Sequence, residues 1–370
     1  MTSEVVLSRA GEPSPGAAFA RPCYRIPALA VLPADRPEAP GRIVAAWDVR
    51  ADWRDLPGPF DLVLRHSDDG GRTWSPMRVL RQHEGERGFG DASLLVGLDG
   101  TLYCWYVSSD GESFFSAQPG GPGLGLWLSR SDDGGLNWTH RELPGLRPAW
   151  AGGMFAASGN GSCLTDGPFR GRLYQPFVAR DGGGAHWAVP GWSDDGEHWM
   201  LGERVGPDCD ENKLVGLPDG SILMHARATP RRRQALLAAG ADRFTDPVPH
   251  EALVEPGCNG GLCRWGGLLV ASLPDDATRR RRLALRWSAD QGRTWSAPVL
   301  ADAGAAGYSV VQPLADGALG LIYEAGDYEA IIFVRIEPGE LGELGGAVSL
   351  VARPGSSGAA KPPEVAVPGR

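Results

Sequence analysis

FDLVLRHSDDGGRTW, Phe60 to Trp74, decides how the chain folds. Phe60, Leu62 and Leu64 alternate with Asp61, Val63 and Arg65, the period of a strand whose two faces meet different surroundings. The strand runs into SDDGGRTW, and that turn recurs: as SDDGGLNW at Ser131–Trp138, as SADQGRTW at Ser288–Trp295 and, shortened, as SDDGEHW at Ser193–Trp199. The starts at 67, 131, 193 and 288 lie 64, 62 and 95 residues apart. The wide last gap leaves room for a degenerate copy, with ADRFTDP at Ala241–Pro247 as its candidate.

A repeat of this length holds several strands, and one small sheet cannot bury both faces alone, so it must stack on neighbours in a radial all-β architecture. Within each box, Asp can bond backbone amides two or three residues ahead, Gly supplies positive φ, and Trp can pin the turn to the sheet. Each box is therefore read as a hairpin staple. None has the twelve-residue spacing ending in Glu that a calcium loop needs, and no box residue is taken as a site residue.

The 53 glycines, 31 prolines and 13 tryptophans fit a turn-dense, aromatic-stapled β protein, and no long stretch has helical spacing of apolar residues. One domain is expected over residues 1–350, followed by a disordered tail over 351–370, where PGSSGAAKPPEVAVPGR offers too little apolar surface to fold. A net charge of −9 and a pI near 5.3 argue against nucleic acid or an anionic membrane as partner. An anionic ligand would need a local cluster of arginines. MTSEVVLSRAGEPSPG shows no signal peptide, and no run is long enough to span a bilayer, so a cytoplasmic protein or one exported by another route is expected. The six cysteines form no CxxC pair and are expected as free thiols. The seven histidines include no HExxH, so neither a metal nor a cofactor is expected.

Taken in order, EVVLS at 4–8 reads as an edge strand that closes the ring against its last sheet. CYRIPALAVL places Arg25 just before a proline and an apolar strand. DVRADWRDLPGP, Asp48 to Pro59, is a charged loop between two apolar strands; Asp48, Asp52 and Asp55 are its candidate proton donors, and Arg50 lies among them. GFGDASLL sets Asp91 between glycines and a strand. DCDENKLVGL brings Asp208, Asp210 and Glu211 to a strand start, and SILMHAR ends on Arg227. Arg279–Arg282 opens RLALRWS; GYSVVQPL carries Tyr308 and GLIYEAG carries Glu324. Singly, each of these reads as a solvated strand end.

Together, RIP at Arg25–Pro27, the repeated boxes and the spaced DENK, Tyr and Glu elements resemble an exo-sialidase over about residues 20 to 340. Boxes alone are a weak signal, because non-catalytic propellers carry them; RIP followed by several is strong. The resemblance implies a six-bladed β-propeller with its site at the central mouth. It implies three arginines for a sugar carboxylate: Arg25, Arg227 and, by the spacing to Trp295, Arg280. It further implies Asp55 in DLPGP as general acid/base, Tyr308 as nucleophile, Glu211 as the base that polarises Tyr308, Asp91 as a pocket carboxyl, Glu324 as the group orienting Arg25, and Arg50 as a secondary arginine near the sugar's O4.

The chemistry suits these residue types. A sialoside carries a carboxylate on its anomeric carbon, so an Asp or Glu nucleophile would meet a like charge, at a cost of several kcal/mol in a low-dielectric site. A phenol avoids that repulsion, and sialidases are the known glycosidases with tyrosine in this place. With a pKa of about 10, the phenol needs a base beside it. Arginine's planar fork matches both carboxylate oxygens and keeps its charge. The expected partners are sialylated or other nonulosonic-acid glycans, and the expected reaction is hydrolysis with retention. The alternative is a non-catalytic propeller that binds acidic sugars, in which the acid, Tyr and Glu would be freely replaced. Two departures from the family, SCL at Ser162–Leu164 and the long loop from Trp47 to Pro59, are expected to border the pocket for the sugar's N-acyl or glycerol arm.

Overall fold

A computed structural model describes residues 3–16 and 19–340, and its 25 regular elements are all strands. The expected tail at 351–370 lies outside the described residues. No helix among them is long and apolar enough to cross a membrane, a statement that leaves strands out of account.

Alternation of apolar residues builds antiparallel meanders; the short strand Gly159–Asn160 departs from this, pairing parallel with Gly88–Val96. The first sheet is Cys23–Val31, Ile43–Arg50, Asp61–Ser67 and Arg78–Arg81; the second is Gly88–Val96, Leu102–Ser109, Gly125–Ser131 and Thr139–Glu142. The third is Ala151–Ala156, Leu173–Asp181, His186–Ser193 and Met200–Leu201, and the fourth is Asn212–Gly216, Ile222–Ala226, Arg231–Leu237 and Val248–Val254. Beyond these runs one seven-stranded sheet, in which the 15-residue strand Val299–Pro313 pairs with Arg281–Ser288 through its first part and Leu319–Ala325 through its second. Ser3–Arg9 forms its outer edge on Ala330–Ile336, as expected of EVVLS, so the chain's two described ends share one sheet.

The core lies in the seams between successive sheets. Ala28, Val44 and Leu62 of the first sheet pack with Leu94 and Leu102 of the second. Tyr24, Trp47 and Val63 of the same first sheet pack with Ile322 and Phe333 of the last. The first sheet therefore touches both its successor and the final one, and the arrangement closes on itself.

The boxes are hairpin staples. In the first, Ser67 Oγ donates to Asp69 Oδ1 at 2.8 Å, the Gly71 N–H donates to Ser67 Oγ at 2.9 Å, and Thr73 Oγ1 donates to Asp69 Oδ2 at 2.6 Å. The boxes at Asp133, Asp195 and Asp290 repeat the pattern. What the turn motif did not reveal is that each Trp also reaches a neighbouring sheet. Trp74 meets Phe333 edge-on at 5.1 Å, Trp199 meets Trp105 at 4.9 Å, and Trp295 meets His225 at 5.0 Å. At Gly71, φ is +88° and a Cβ would lie 2.2 Å from the Phe333 ring, so only glycine lets the turn approach its neighbour. At Ala241–Pro247 the link is made differently: Thr245 Oγ1 accepts the Leu236 N–H at 3.0 Å.

Candidate active site

Register separates the ring's two ends. Arg25 pairs with Asp48, whereas Ile43, at the other end of the same strands, pairs with Ser67 of the first box. The starts of the inner strands therefore gather at one mouth and the boxes at the opposite end. At the mouth the ladders break: between Arg25 and Ala28, between Gly90 and Ser93, and between Ala306 and Ser309. Such bulges re-aim side chains that regular pleating would send into the seams. Ile26 and Asp91 sit at φ of 61° and 63°, a conformation costing about 1–2 kcal/mol outside glycine.

Buried carboxylates hold these bulges. Glu324, fully buried, accepts the Ile26 N–H at 2.9 Å and the Tyr308 N–H at 2.9 Å, and its Oε1 accepts Arg25 Nε at 3.2 Å. Asp48, also fully buried, accepts the Asp91 N–H at 3.1 Å and Arg50 Nη2 at 2.6 Å. Asp48 is thereby removed from the candidate proton donors. Asp52 caps Arg54 on the surface, accepting its N–H at 2.9 Å, so Asp55 alone of the three faces the cavity.

That cavity, ≈390 Å³, is lined by Arg25, Asp55, Asp91, Glu211, Arg227, Arg280 and Tyr308, residues from seven separate stretches spread over about 280 positions. Its volume suits a single small ligand. Arg280 is the one member of the arginine run that lines it; Arg281 pairs with Asp276 and Arg282 with Asp275. Glu324 and Arg50 stand behind the lining. Arg25 and Arg227 carry partners of their own, Glu324 and Glu211; burial would weaken the Arg25 charge, but Glu324, Tyr328, Asp55 and Tyr308 together outweigh it. Arg280 donates to neutral oxygens, Tyr328 Oη and the Gly257 carbonyl, each at 3.3 Å. No carboxylate among the described residues lies within ion-pair distance of it, so an incoming anion gains most there.

Tyr308 Oη accepts from Arg227 Nη1 at 3.0 Å, and the same Nη1 donates to Glu211 Oε2 at 2.7 Å. Burial, reinforced by Glu211, pushes the phenol's pKa well above its ordinary value against the pull of Arg227, Arg280 and Arg25. The resting group is thus neutral. Asp55 differs: burial would raise its pKa, but Arg50 at 2.8 Å and Arg25 at 3.2 Å win and leave it lowered. Its carboxylate is two-thirds exposed (67%). Asp91 is raised well above the carboxylate range by burial and then by Asp48, with Arg50, 4.0 Å away, only partly opposing.

Several residues at this mouth carried no sequence signal. The Tyr328 ring centre lies 4.2 Å from the Arg25 guanidinium carbon while its hydroxyl meets Arg280, so one ring braces two arginines. Ser158 Oγ donates to Glu211 Oε1 at 3.2 Å. Trp53 (59% exposed) and Phe115 (62%) stand at the rim, and Phe114, Leu124 and Phe155 form an apolar wall beside Asp91. Adjacent phenylalanines in a loop were the one available hint. Of the two departures, the long loop borders the cavity through Trp53, Asp55 and Leu56. Ser162 and Cys163 do not: they line a separate cavity with Leu29, Leu94 and Leu262, because Ser162–Cys163 pairs with Leu173–Asp181 away from the mouth. All six cysteines are unpaired.

A ring of box-stapled sheets with an arginine-lined mouth defines a class: residues 50–321 match the BNR repeat-like domain, and the chain belongs to that family. It is 35% identical over 332 residues to a sialidase of Micromonospora viridifaciens, across 82% of this chain and 50% of that protein. It is 26% identical over 338 residues to a sialidase of Bacteroides fragilis (strain YCH46), across 82% and 60%. The chain thus spans half to three-fifths of the length of these relatives. Among solved structures, the Hadza microbial sialidase Hz136 superposes with a TM-score of 0.77 at 24% identity, over 86% of this chain and 66% of that one, a likeness of fold.

Proposed function

We propose that the protein is an exo-sialidase built as a six-bladed β-propeller, releasing terminal sialic acid or a related nonulosonic acid with retention. The observation that carries this reading is the convergence of Arg25, Arg227 and Arg280 on the cavity that also holds Tyr308, whose hydroxyl shares Arg227 with Glu211.

The substrate's carboxylate enters the arginine cluster, gaining most from Arg280. As it engages Arg227, Glu211 is released to take the Tyr308 proton while the phenolate oxygen bonds to the anomeric carbon and the glycosidic bond breaks. Neutral Tyr308 approaches without the repulsion a carboxylate would meet. Asp55 protonates the leaving oxygen, then deprotonates the water that attacks the anomeric carbon of the tyrosyl glycoside intermediate, while Glu211 returns its proton to the departing Tyr308 oxygen. The substrate also prepares its own acid. Its carboxylate draws Arg25 away from Asp55 and places a negative charge nearby, and both changes raise the Asp55 pKa. Asp91, favouring its protonated form, can donate a hydrogen bond to the sugar from beside the apolar wall.

Incubation with a panel of nonulosonic acid glycosides, followed by NMR, tests the reading. The α-anomer of the free sugar is expected first; the β-anomer first, or no release from any glycoside, overturns it.

A further inference from the structure

Beneath the cavity lies a charge that this chemistry does not use. Glu211 and Lys213 stand two residues apart where the chain enters Asn212–Gly216, so both point toward the ring's axis. Asn212 between them points to the other face of the strand, fully buried, and donates to the Phe177 carbonyl of the third sheet at 2.9 Å. Lys213 is 1% exposed, and no carboxylate among the described residues lies within ion-pair distance of its ammonium. It donates instead to the Ser158 carbonyl at 2.7 Å and to Asn259 Oδ1 at 2.9 Å, with the Asn212 carbonyl more distant at 3.5 Å.

The contacts close into a unit. Asn259 Nδ2 donates to the same Ser158 carbonyl at 2.8 Å, and the Asn259 carbonyl accepts the N–H of Ser309, the residue after Tyr308, at 3.4 Å. Ser158 Oγ donates to Glu211 Oε1. The next residue, Gly159, has φ of +108° and passes so near Val310 that a Cβ would lie 2.8 Å from it, which is how the Ser158 peptide comes to face the axis. An unpaired buried ammonium is costly, and a methionine would fill the space without that penalty. Burial lowers its pKa to about 7, with Glu211 opposing.

We propose that Lys213 is a positioning residue for the base: with Asn259 it fixes the Ser158 peptide, so that Ser158 Oγ holds one oxygen of Glu211 while the other faces Arg227 and Tyr308, and its charge favours the proton-accepting carboxylate. This rests on Glu211 acting as the base of Tyr308. The titratable and charged groups facing Glu211 are Arg227, Tyr308, Lys213, Asp91 and the adjoining Asp210; Arg232, two strands away in the same sheet, acts on Lys213.

Lys213→Met, of similar length and without charge, tests it. General-base catalysis is worth about 10²–10⁴, so a displaced base should cost about tenfold to a hundredfold in kcat. KM for an aryl sialoside stays within about twofold, because the arginines are untouched. The acidic limb of the kcat/KM profile moves to higher pH, because a buried cation close to the base has been removed. A folded Lys213→Met enzyme with normal kcat and an unmoved limb overturns the proposal. If that variant does not fold, Ser158→Ala, which removes only the hydroxyl, must lower kcat and shift the limb the same way; an unchanged profile then overturns it. Glu211→Gln separates the two readings. Normal turnover there removes the base itself, whereas an inactive Glu211→Gln beside a normal Lys213→Met removes the positioning role alone.

Discussion

The two ends of the ring use the same acidic residues in opposite ways. At the box end each Asp is exposed or half-buried and satisfied inside its own hairpin: burial would raise the Asp69 pKa, but the hydrogen bonds of Thr73, Ser67 and the Arg72 N–H together outweigh it and hold it down to about 2. At the mouth Asp48 and Glu324 are fully buried, and their partners come from distant stretches, as when Glu324 takes Arg25 from 299 positions away. A local motif can write a staple. A site that must desolvate charge has to draw its counter-charges from several sheets.

The contrast is sharpest at Tyr308, the proposed nucleophile. Tyr308→Phe removes one oxygen at the mouth and no packing, so turnover of an aryl sialoside should fall by roughly a thousandfold or more with the melting temperature intact. Near-normal rates would remove Tyr308 from its role. Arg280 comes next. Alanine replacements across Arg279–Arg282 should give one dominant KM increase, at position 280, of roughly a hundredfold, the scale expected when one partner of a desolvated charge pair is lost. An even spread would show that the run acts as a diffuse basic face.

Asp55→Ala should cost roughly a hundredfold on glycosides with poor leaving groups and far less on activated phenols, since only the former need a proton. Equal losses would return attention to Asp52, or to Asp48 despite its burial. The wild-type pH profile adds to this. With Asp55 lowered in the free protein by Arg50 and Arg25 after burial is overcome, kcat/KM for poor leaving groups should decline with rising pH from the acidic range. The kcat profile should hold to a higher pH, because bound carboxylate raises the Asp55 pKa. Coincident limbs would contradict the proposed exchange of Arg25 between Asp55 and substrate.

The smallest effect belongs to the box end. Asp69→Ala should leave kcat unchanged and lower the melting temperature by a few degrees. The folded pKa, about 2, lies below the model-peptide value of 3.8, so this carboxylate's contribution is present above about pH 4 and is lost as pH falls toward 2. The variant should lose that part of its acid sensitivity.

How much could be read from the chain follows from this contrast. SDDGGRTW is legible because its donors and acceptors lie within seven residues, and EVVLS because apolar alternation marks a strand that needs a partner. RIP, DENK and GYS carried Arg25, Glu211 and Tyr308 by resemblance, and the cavity contains all three. Tyr328 was invisible because its two arginine neighbours are 303 and 48 positions away. The SCL segment misled because nearness in sequence to the site strands says nothing about which end of the ring a strand faces.

By itself, then, the sequence determined the repeat, the staples and the set of residue types able to handle an acidic sugar, because periodicity and turn chemistry act over a few residues. The tertiary structure alone decided which of three aspartates reaches the cavity, which of four arginines turns inward, and that a buried lysine lies close to Glu211. Those choices depend on bulges, seams and desolvation, which exist only once the sheets have closed on one another.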